Sequence, residues 1–149
     1  MPIDTSLDFV AINIAVITIS DSRTKENDTS GDTLEKRITD AGHAMVKRTI
    51  IPDDVSQIKE TLDSMSKEKE IDCIITTGGT GLTGRDTTPE AINAIASKHI
   101  DGFGELFRHV SFEKIGTSAI QSRAVAALIN STYVFCLPGS TGACKDGWD

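Results

Sequence analysis

The segment from Thr76 to Pro89 combines glycines, hydroxyl groups and one carboxylate in an order suited to binding a phosphate through a metal ion. It reads TTGGTGLTGRDTTP. Glycines tolerate positive φ and close approach, so successive backbone N–H groups can point at an anion. Asp86 alone would repel a phosphate, but Mg²⁺ prefers carboxylate and phosphate oxygens and would join the two. The segment therefore predicts a phosphate site that holds magnesium.

A tight turn between a strand and a helix is the alternative reading of the same glycines. The segment matches neither of two common phosphate-binding sequences, because no Gly-Lys-Ser/Thr follows it and its glycine spacing differs from the dinucleotide-binding fingerprint. The pattern thus indicates contact with an anion without specifying the ligand.

Three more loops follow predicted strands and would reach the same edge of a parallel sheet, where ligands bind in open α/β folds. Asp53 could add a second carboxylate, with a helix cap as its alternative, and Ser140 could contact a ligand or cap the next helix. Arg23 and Arg85 could contact phosphate or simply be solvated. The candidate site residues are Asp21, Ser22, Asp53, Thr77, Gly78, Gly79, Thr80, Gly81, Asp86, Pro138, Gly139 and Ser140.

Apolar patterning predicts an alternation of strands and helices that would bring these loops together. Runs of β-branched residues predict buried strands, and apolar residues at helical spacing predict helices. The predicted strands are 12–20, 44–51, 71–76 and 133–137, and the predicted helices begin near residues 29, 54, 88, 103, 119 and 141. This order predicts an α/β fold, a three-layer αβα sandwich with a mostly parallel sheet.

The helix near residue 88 has the clearest predicted start. Thr88 is expected to supply the capping hydroxyl, Pro89 to occupy the first helical position, and Glu90 to place an acid in the first turn. Ala119 to Ile129 is predicted as a further helix on its apolar content.

The length of 149 residues, 38% of them hydrophobic, predicts one domain over residues 1–149. We expect residues 1–10 to be flexible, and the helix that begins near Thr141 to be cut short by the end of the sequence. Cys73, Cys136 and Cys144 fit no disulfide or zinc pattern and are predicted to be reduced thiols, two of them in strands.

The formal net charge of -7 argues against a general nucleic-acid or acidic-membrane binder. The sequence has no apolar run of the roughly 20 residues that a membrane span needs, and its acidic N-terminal segment is unlike a signal peptide. These features predict a cytoplasmic protein whose partners are small molecules or other proteins.

Five motifs together resemble the MoaB/MogA family of molybdenum-cofactor biosynthesis proteins, and the MoaB branch in particular. The resemblance extends from about Ile12 to the end of the chain. In order, the motifs are TTGGTG (76–81), RDTTPEA (85–91), GFGELFR (102–108), SRA (122–124) and LPGS (137–140).

The resemblance implies a molybdopterin-binding fold assembled as a homotrimer or homohexamer, in which molybdopterin is adenylated by Mg-ATP and pyrophosphate is released. It implies that Asp53 and Asp86 are catalytic and hold Mg²⁺, and that the residues from Thr77 to Gly81 bind phosphates and pterin. It also implies ligand contacts for Asp21 and Ser22, and for the segment from Pro138 to Ser140. A second hypothesis is a protein of the same pathway that carries molybdopterin without converting it.

Overall fold

A computed structural model describes residues 2–149, which contain a six-stranded sheet and five α-helices. A 3₁₀ helix covers Gly116–Gln121. In chain order the other elements are β1 (Asn13–Ile19), α1 (Thr29–Asp40), β2 (Ala44–Ile51), α2 (Val55–Ser66), β3 (Cys73–Thr77), α3 (Thr88–Ile95), β4 (Lys98–His99), α4 (Asp101–Ile115), β5 (Val125–Ile129), β6 (Thr132–Leu137) and α5 (Thr141–Trp148).

The sheet has the order β2-β1-β3-β6-β5-β4. The first four strands in this order are parallel, and β5 and β4 continue the sheet in antiparallel pairings. The chain leaves β1 toward β2 on one side and later returns to β3 on the other, so the winding reverses between β1 and β3. Such a reversal opens a crevice at the carboxyl ends of the strands, which is where α/β folds bind ligands.

Helices cover both faces of the sheet, as predicted for a three-layer sandwich. Ala15 and Ile17 of β1 belong to the core that includes Ile58 of α2 and Ile92 of α3. The intervening residue, Val16, lies in the other core with side chains from α1, α4 and α5. Because alternate residues of a strand face opposite sides, a run such as NIAVITI must be apolar throughout to be buried on both faces.

The predicted helix from Ala119 to Ile129 is wrong. Gly116–Gln121 is a 3₁₀ helix, and Val125–Ile129 is strand β5, which pairs antiparallel with β6. Asn130 and Ser131 connect the two strands with φ values of 48° and 72°, as two-residue hairpin turns require. A run of five apolar residues does not distinguish a strand from a helix. In the sequence, only the two polar residues Asn130 and Ser131 indicate a hairpin at this position.

The three cysteines are free and buried. Cys73 and Cys136 lie in strands β3 and β6, as predicted, and Cys144 lies in α5. Burial raises the pKa of the Cys73 thiol to about 12, because the thiolate would lose its hydration. None of the helices in residues 2–149 is both long and apolar enough to cross a bilayer.

A buried carboxylate at the start of α1 binds side chains of strands β1 and β2. Asp28 is fully buried and is the N-cap of α1, where it accepts a hydrogen bond from the Gly31 N–H at 3.0 Å. Its Oδ2 also accepts from Thr18 Oγ1 at 2.7 Å and from Arg48 Nη2 at 3.0 Å. Burial raises the pKa of Asp28, but the bonds from these three partners outweigh it and hold the pKa below its usual value.

We expect Asp28 to make the stability of the protein depend on pH in the acidic range. A carboxyl whose pKa is lower in the folded than in the unfolded protein stabilises the fold above about pH 4, and this contribution disappears as pH falls through the folded pKa. Asp28→Asn should therefore unfold in less denaturant than the parent at neutral pH, and the difference should narrow below about pH 4. Denaturant titrations of both proteins at several pH values measure this; a difference independent of pH would contradict it.

Candidate functional site

Four loops meet at the crevice between β1 and β3. The Asp53 N–H, after β2, donates to Asp21 Oδ1, after β1, at 3.0 Å. The Gly78 N–H, after β3, donates to the carbonyl of Leu137 at the end of β6, also at 3.0 Å. The Thr87 N–H donates to Asp53 Oδ1 at 3.1 Å and joins the two pairs, so the predicted convergence is confirmed for the loops after β1, β2, β3 and β6.

The start of the glycine loop, which we define as residues 78–86, needs residues without side chains. Gly78 has a φ of 104°, and a Cβ there would lie 2.2 Å from the carbonyl oxygen of Ile19. Gly79 has a φ of 68°, and its Cβ would lie 2.2 Å from Thr88 Oγ1. The glycines thus let the chain turn sharply after β3, as the turn reading predicted, and Gly79 also leaves room for the carboxylate of Asp53.

Asp53 contacts the glycine loop rather than capping α2. Asp54 is the N-cap and accepts from the Gln57 N–H at 2.9 Å, so the cap alternative for Asp53 is wrong. Asp53 Oδ1 instead accepts from the N–H and the Oγ1 of Thr87, at 3.1 and 2.8 Å. Its Oδ2 would lie 2.8 Å from a Cβ on Gly79. The side chain therefore extends from the end of β2 to the base of the loop.

Asp86 closes the far end of the glycine loop. Its Oδ2 accepts from Thr83 Oγ1 at 2.7 Å and from the Thr83 N–H at 3.0 Å. The bond from the Thr83 hydroxyl is the main reason that the pKa of Asp86 lies below its usual value, and the Gly81 N–H and the charge of Arg123 act in the same direction. Asp86 is thus held as a carboxylate beside the backbone of Gly81.

The start of α3 differs from the prediction in its cap. Thr87 is the N-cap and makes no capping bond with its side chain, because its hydroxyl donates to Asp53. Thr88 is the first helical residue, and its buried hydroxyl donates to the Gly78 carbonyl at 3.0 Å. The threonine pair therefore joins the helix to Asp53 and to the glycine loop, instead of capping the helix.

Asp21 and Ser22 lie on the exposed rim of the crevice. Asp21 Oδ2 pairs with Arg85 Nη2 at 2.5 Å, so Arg85 ties the tip of the glycine loop to the loop after β1. Ser22 is exposed, and its N–H donates to Ser20 Oγ at 3.2 Å. Arg23 donates to the Asn27 carbonyl at 3.0 Å and thus bonds within its own loop.

The loop after β6 is fixed by hydrogen bonds from two buried side chains. The Thr77 hydroxyl donates to the Pro138 carbonyl at 3.1 Å, and the Ser30 hydroxyl donates to the Gly139 carbonyl at 3.0 Å. Ser140 caps α5 by accepting from the Ala143 N–H at 3.1 Å, which confirms the cap alternative. The side chains of Thr77 and Ser140 are therefore engaged in the structure of the loop.

Arg123 belongs to the SRA motif, and its residue type and spacing predict no particular role for it. It extends from the segment between the 3₁₀ helix and β5 to the glycine loop, where it donates to the carbonyl of Gly81 at 2.6 Å. It also pairs with Glu90 of α3. Apart from its place in the motif, the sequence offers no signal for these contacts, which join residues more than 30 positions apart.

The donor set around the loop suits magnesium that also binds a phosphate. Thr87 contacts only Oδ1 of Asp53, and Thr83 contacts only Oδ2 of Asp86, so these threonines leave one oxygen of each carboxylate unused. Within residues 2–149, no three His, Cys, Asp or Glu side chains cluster as a metal site. Magnesium commonly binds through one or two carboxylates and completes its shell with waters and substrate phosphates, so the two aspartates fit it.

The fold and the crevice define a class of protein, and comparison with known families agrees with it. The family model described as "Probable molybdopterin binding domain" matches residues 15–149. Molybdenum cofactor biosynthesis protein B of Escherichia coli (strain K12) is 41% identical over 144 residues, which cover 97% of this chain and 85% of that protein.

Solved structures give the same assignment. A crystal structure of molybdenum cofactor biosynthesis protein B is 40% identical, with a TM-score of 0.91 over 94% of this chain and 88% of that one. The tungsten cofactor synthesizing protein MoaB from Pyrococcus furiosus is 36% identical, with a TM-score of 0.83 over 93% of this chain and 88% of that one. The chain belongs to the molybdenum cofactor biosynthesis protein B family, within the molybdopterin-binding domains.

Proposed function

We propose that this protein adenylates molybdopterin with Mg-ATP. The observation that supports the proposal most strongly is the pair of carboxylates, Asp53 and Asp86, each packed against a different glycine of one loop. A loop that only turned the chain would not need two carboxylates beside backbone that is suited to anions. The similarity to a protein named for molybdenum cofactor biosynthesis makes a pterin phosphate the natural acceptor in this proposal.

In the proposed reaction, an oxygen of the terminal phosphate of molybdopterin attacks the α-phosphorus of ATP. A new P–O bond forms, the bond to the bridging oxygen of the β-phosphate breaks, and pyrophosphate leaves with that electron pair. Two anions must be aligned and their charge offset, which requires no nucleophilic side chain. The glycine loop would bind phosphate oxygens through N–H groups, and the loops containing Ser22 and Pro138–Ser140 would border the substrates.

Asp53 and Asp86 would hold the magnesium in this proposal. When bound, magnesium neutralises negative charge on phosphate oxygens and orients them. The threonine bonds to Asp53 and Asp86 fix the two carboxylates before any ligand arrives, so little ordering would remain to be done on binding. The lowered pKa of Asp86 favours the ionised form that a metal needs.

Transfer of label tests the proposal. Purified protein, Mg²⁺ and freshly prepared molybdopterin are incubated with ATP that is radiolabelled at the α-phosphate, and the pterin is separated from nucleotides. We expect the α-label to appear on the pterin. When the ATP is labelled at the γ-phosphate instead, the label should appear in pyrophosphate and not on the pterin. A protein that retains the pterin but never acquires α-label would be a carrier, which is the competing hypothesis.

We also propose that the protein forms a homotrimer or homohexamer. Four large apolar side chains are exposed on α4 and the 3₁₀ helix, and exposed apolar patches commonly mark contacts between proteins. They are Leu106, Phe112, Ile115 and Ile120. Light scattering after size-exclusion chromatography should give three or six times the mass of one chain; a monomer would contradict this.

Since the proposed reaction consumes ATP, we propose that it takes place in the cytoplasm.

A further inference from the structure

Arg123 binds the glycine loop on both sides of its tip, which we define as residues 82–85. Its Nε donates to the Thr80 carbonyl at 3.1 Å, and its Nη2 donates to the carbonyls of Gly81 at 2.6 Å and Asp86 at 2.9 Å. Its Nη1 pairs with Glu90 in the first turn of α3. One guanidinium thus closes the loop where the chain enters the tip and where it leaves.

These bonds also set which way the loop peptides face. All peptide bonds in the described chain are trans, so a carbonyl and the N–H of the next residue point in opposite directions. Since the Thr80 carbonyl faces Arg123, the Gly81 N–H must face away from it. The Asp86 carboxylate packs against Gly81, where a Cβ would lie 2.6 Å from its Oδ2. Arg123 therefore binds the carbonyls on either side of the Gly81 Cα, and the Asp86 carboxylate packs against that same residue.

We propose that Arg123 is a positioning residue that fixes the glycine loop and, through the Thr80–Gly81 peptide, the Asp86 carboxylate. Its effect on turnover rests on the proposed adenylation, whereas its effect on the loop does not. Hydrogen bonds from a charged donor are stronger than neutral ones, and a planar fork can engage three carbonyls together. Glu90 offsets the charge of the guanidinium and helps to hold it in this orientation.

The loop itself contains few other restraints. Residues 82–85 are exposed and form neither helix nor strand. The other bonds of the tip are local ones from Thr83, Arg85 and Asp86, and an exposed ion pair between Arg85 and Asp21, of a kind that contributes little in water. Without Arg123, the loop would open more readily, and the Asp86 carboxylate would move with it.

Amide hydrogen exchange of the protein tests the structural part directly. Arg123→Lys keeps the charge but replaces the fork with a single ammonium group, which cannot span the three carbonyls. We expect the amides of Thr83 and Asp86, which are hydrogen-bonded within the tip, to exchange about tenfold faster or more, while Ile75 within β3 keeps its protection. Unchanged exchange at Thr83 and Asp86 would overturn the proposal.

Arg48→Lys is the matched control. Arg48 also engages several partners, Asp28, Asp32 and Glu35, but none of them belongs to the glycine loop. This substitution should leave exchange at Thr83 and Asp86 at the parent's rate. An equal rise in the control would show that the loop responds only to general loss of stability, and would overturn the proposal.

The dependence of turnover on Mg²⁺ tests the link to Asp86. In Arg123→Lys, the Mg²⁺ concentration for half-maximal adenylation should rise about tenfold, and the rate should recover toward the parent's at high Mg²⁺. A purely structural role would lower the amount of active protein without shifting this concentration. If exchange rises and the Mg²⁺ dependence stays unchanged, Arg123 does not position Asp86. If the parent itself shows no adenylation, the proposed function fails, but the exchange result still decides the role of Arg123 in the loop.

Discussion

Asp86→Asn should reduce the rate of adenylyl transfer about 1,000-fold, which corresponds to about 4 kcal/mol of lost transition-state stabilisation. The asparagine can still accept from Thr83, so the loop should keep its shape, but it lacks the charge that holds magnesium against phosphate. Asp53→Asn should have an effect of similar size, because its carboxylate lies at the base of the same loop. Initial rates of label transfer from α-labelled ATP to molybdopterin measure both variants.

Asp54→Asn provides the matched control. Asp54 is adjacent in sequence to Asp53 and is exposed, and it caps α2 through the Gln57 N–H. Asparagine caps helices about as well as aspartate, so this variant should fold and turn over like the parent. If Asp54→Asn lost as much activity as Asp53→Asn, the special role of Asp53 would be refuted, and a full rate in Asp86→Asn would refute the metal-holding role of Asp86.

Gly78→Ala should lower the stability of the protein by about 3 kcal/mol or more. An alanine would have to adopt a φ of 104°, and its Cβ would lie 2.2 Å from the Ile19 carbonyl oxygen, so β1 and β3 would have to separate. For a chain of this size the loss corresponds to a fall of roughly 6–12 °C in Tm. Adenylation should also be lost, since the loop would no longer start at the right place.

Gly84→Ala is the control for that experiment. Gly84 lies in the same loop, but a Cβ there would meet nothing within 4 Å, and its φ is outside the positive region. Its Tm should stay within a few degrees of the parent's, as measured by thermal unfolding followed by circular dichroism. Equal losses in the two variants would show that the strain at Gly78 is not what makes glycine necessary there.

The sequence predicted the positions of the loops better than the contacts within them. The β-branched runs of β1 and β3 are local signals for buried strands, and parallel strands must bring their carboxyl ends to one edge. The motif RDTTPE indicated a helix start, but both threonine hydroxyls bond to the site instead of capping the helix. A hydroxyl near a helix start has several possible acceptors, and the choice among them depends on the tertiary structure.

Arg123 and strand β5 show why the rest could not be predicted. Arg123 donates to carbonyls 37 to 43 residues away, and no periodicity or motif spacing in the sequence predicts contacts over such a separation. The run VAALI forms a strand because it pairs with β6 across a two-residue turn. Both depend on how distant segments meet, whereas the carboxylates were visible from residue type alone.

A single-turnover experiment tests the central claim most directly. Protein in excess over molybdopterin is mixed with Mg-ATP, and pyrophosphate is measured with and without the pterin. The account predicts one pyrophosphate for each molybdopterin supplied and none above background without it. Pterin that binds while ATP stays intact would contradict the account, and so would pyrophosphate released at the same rate without any pterin.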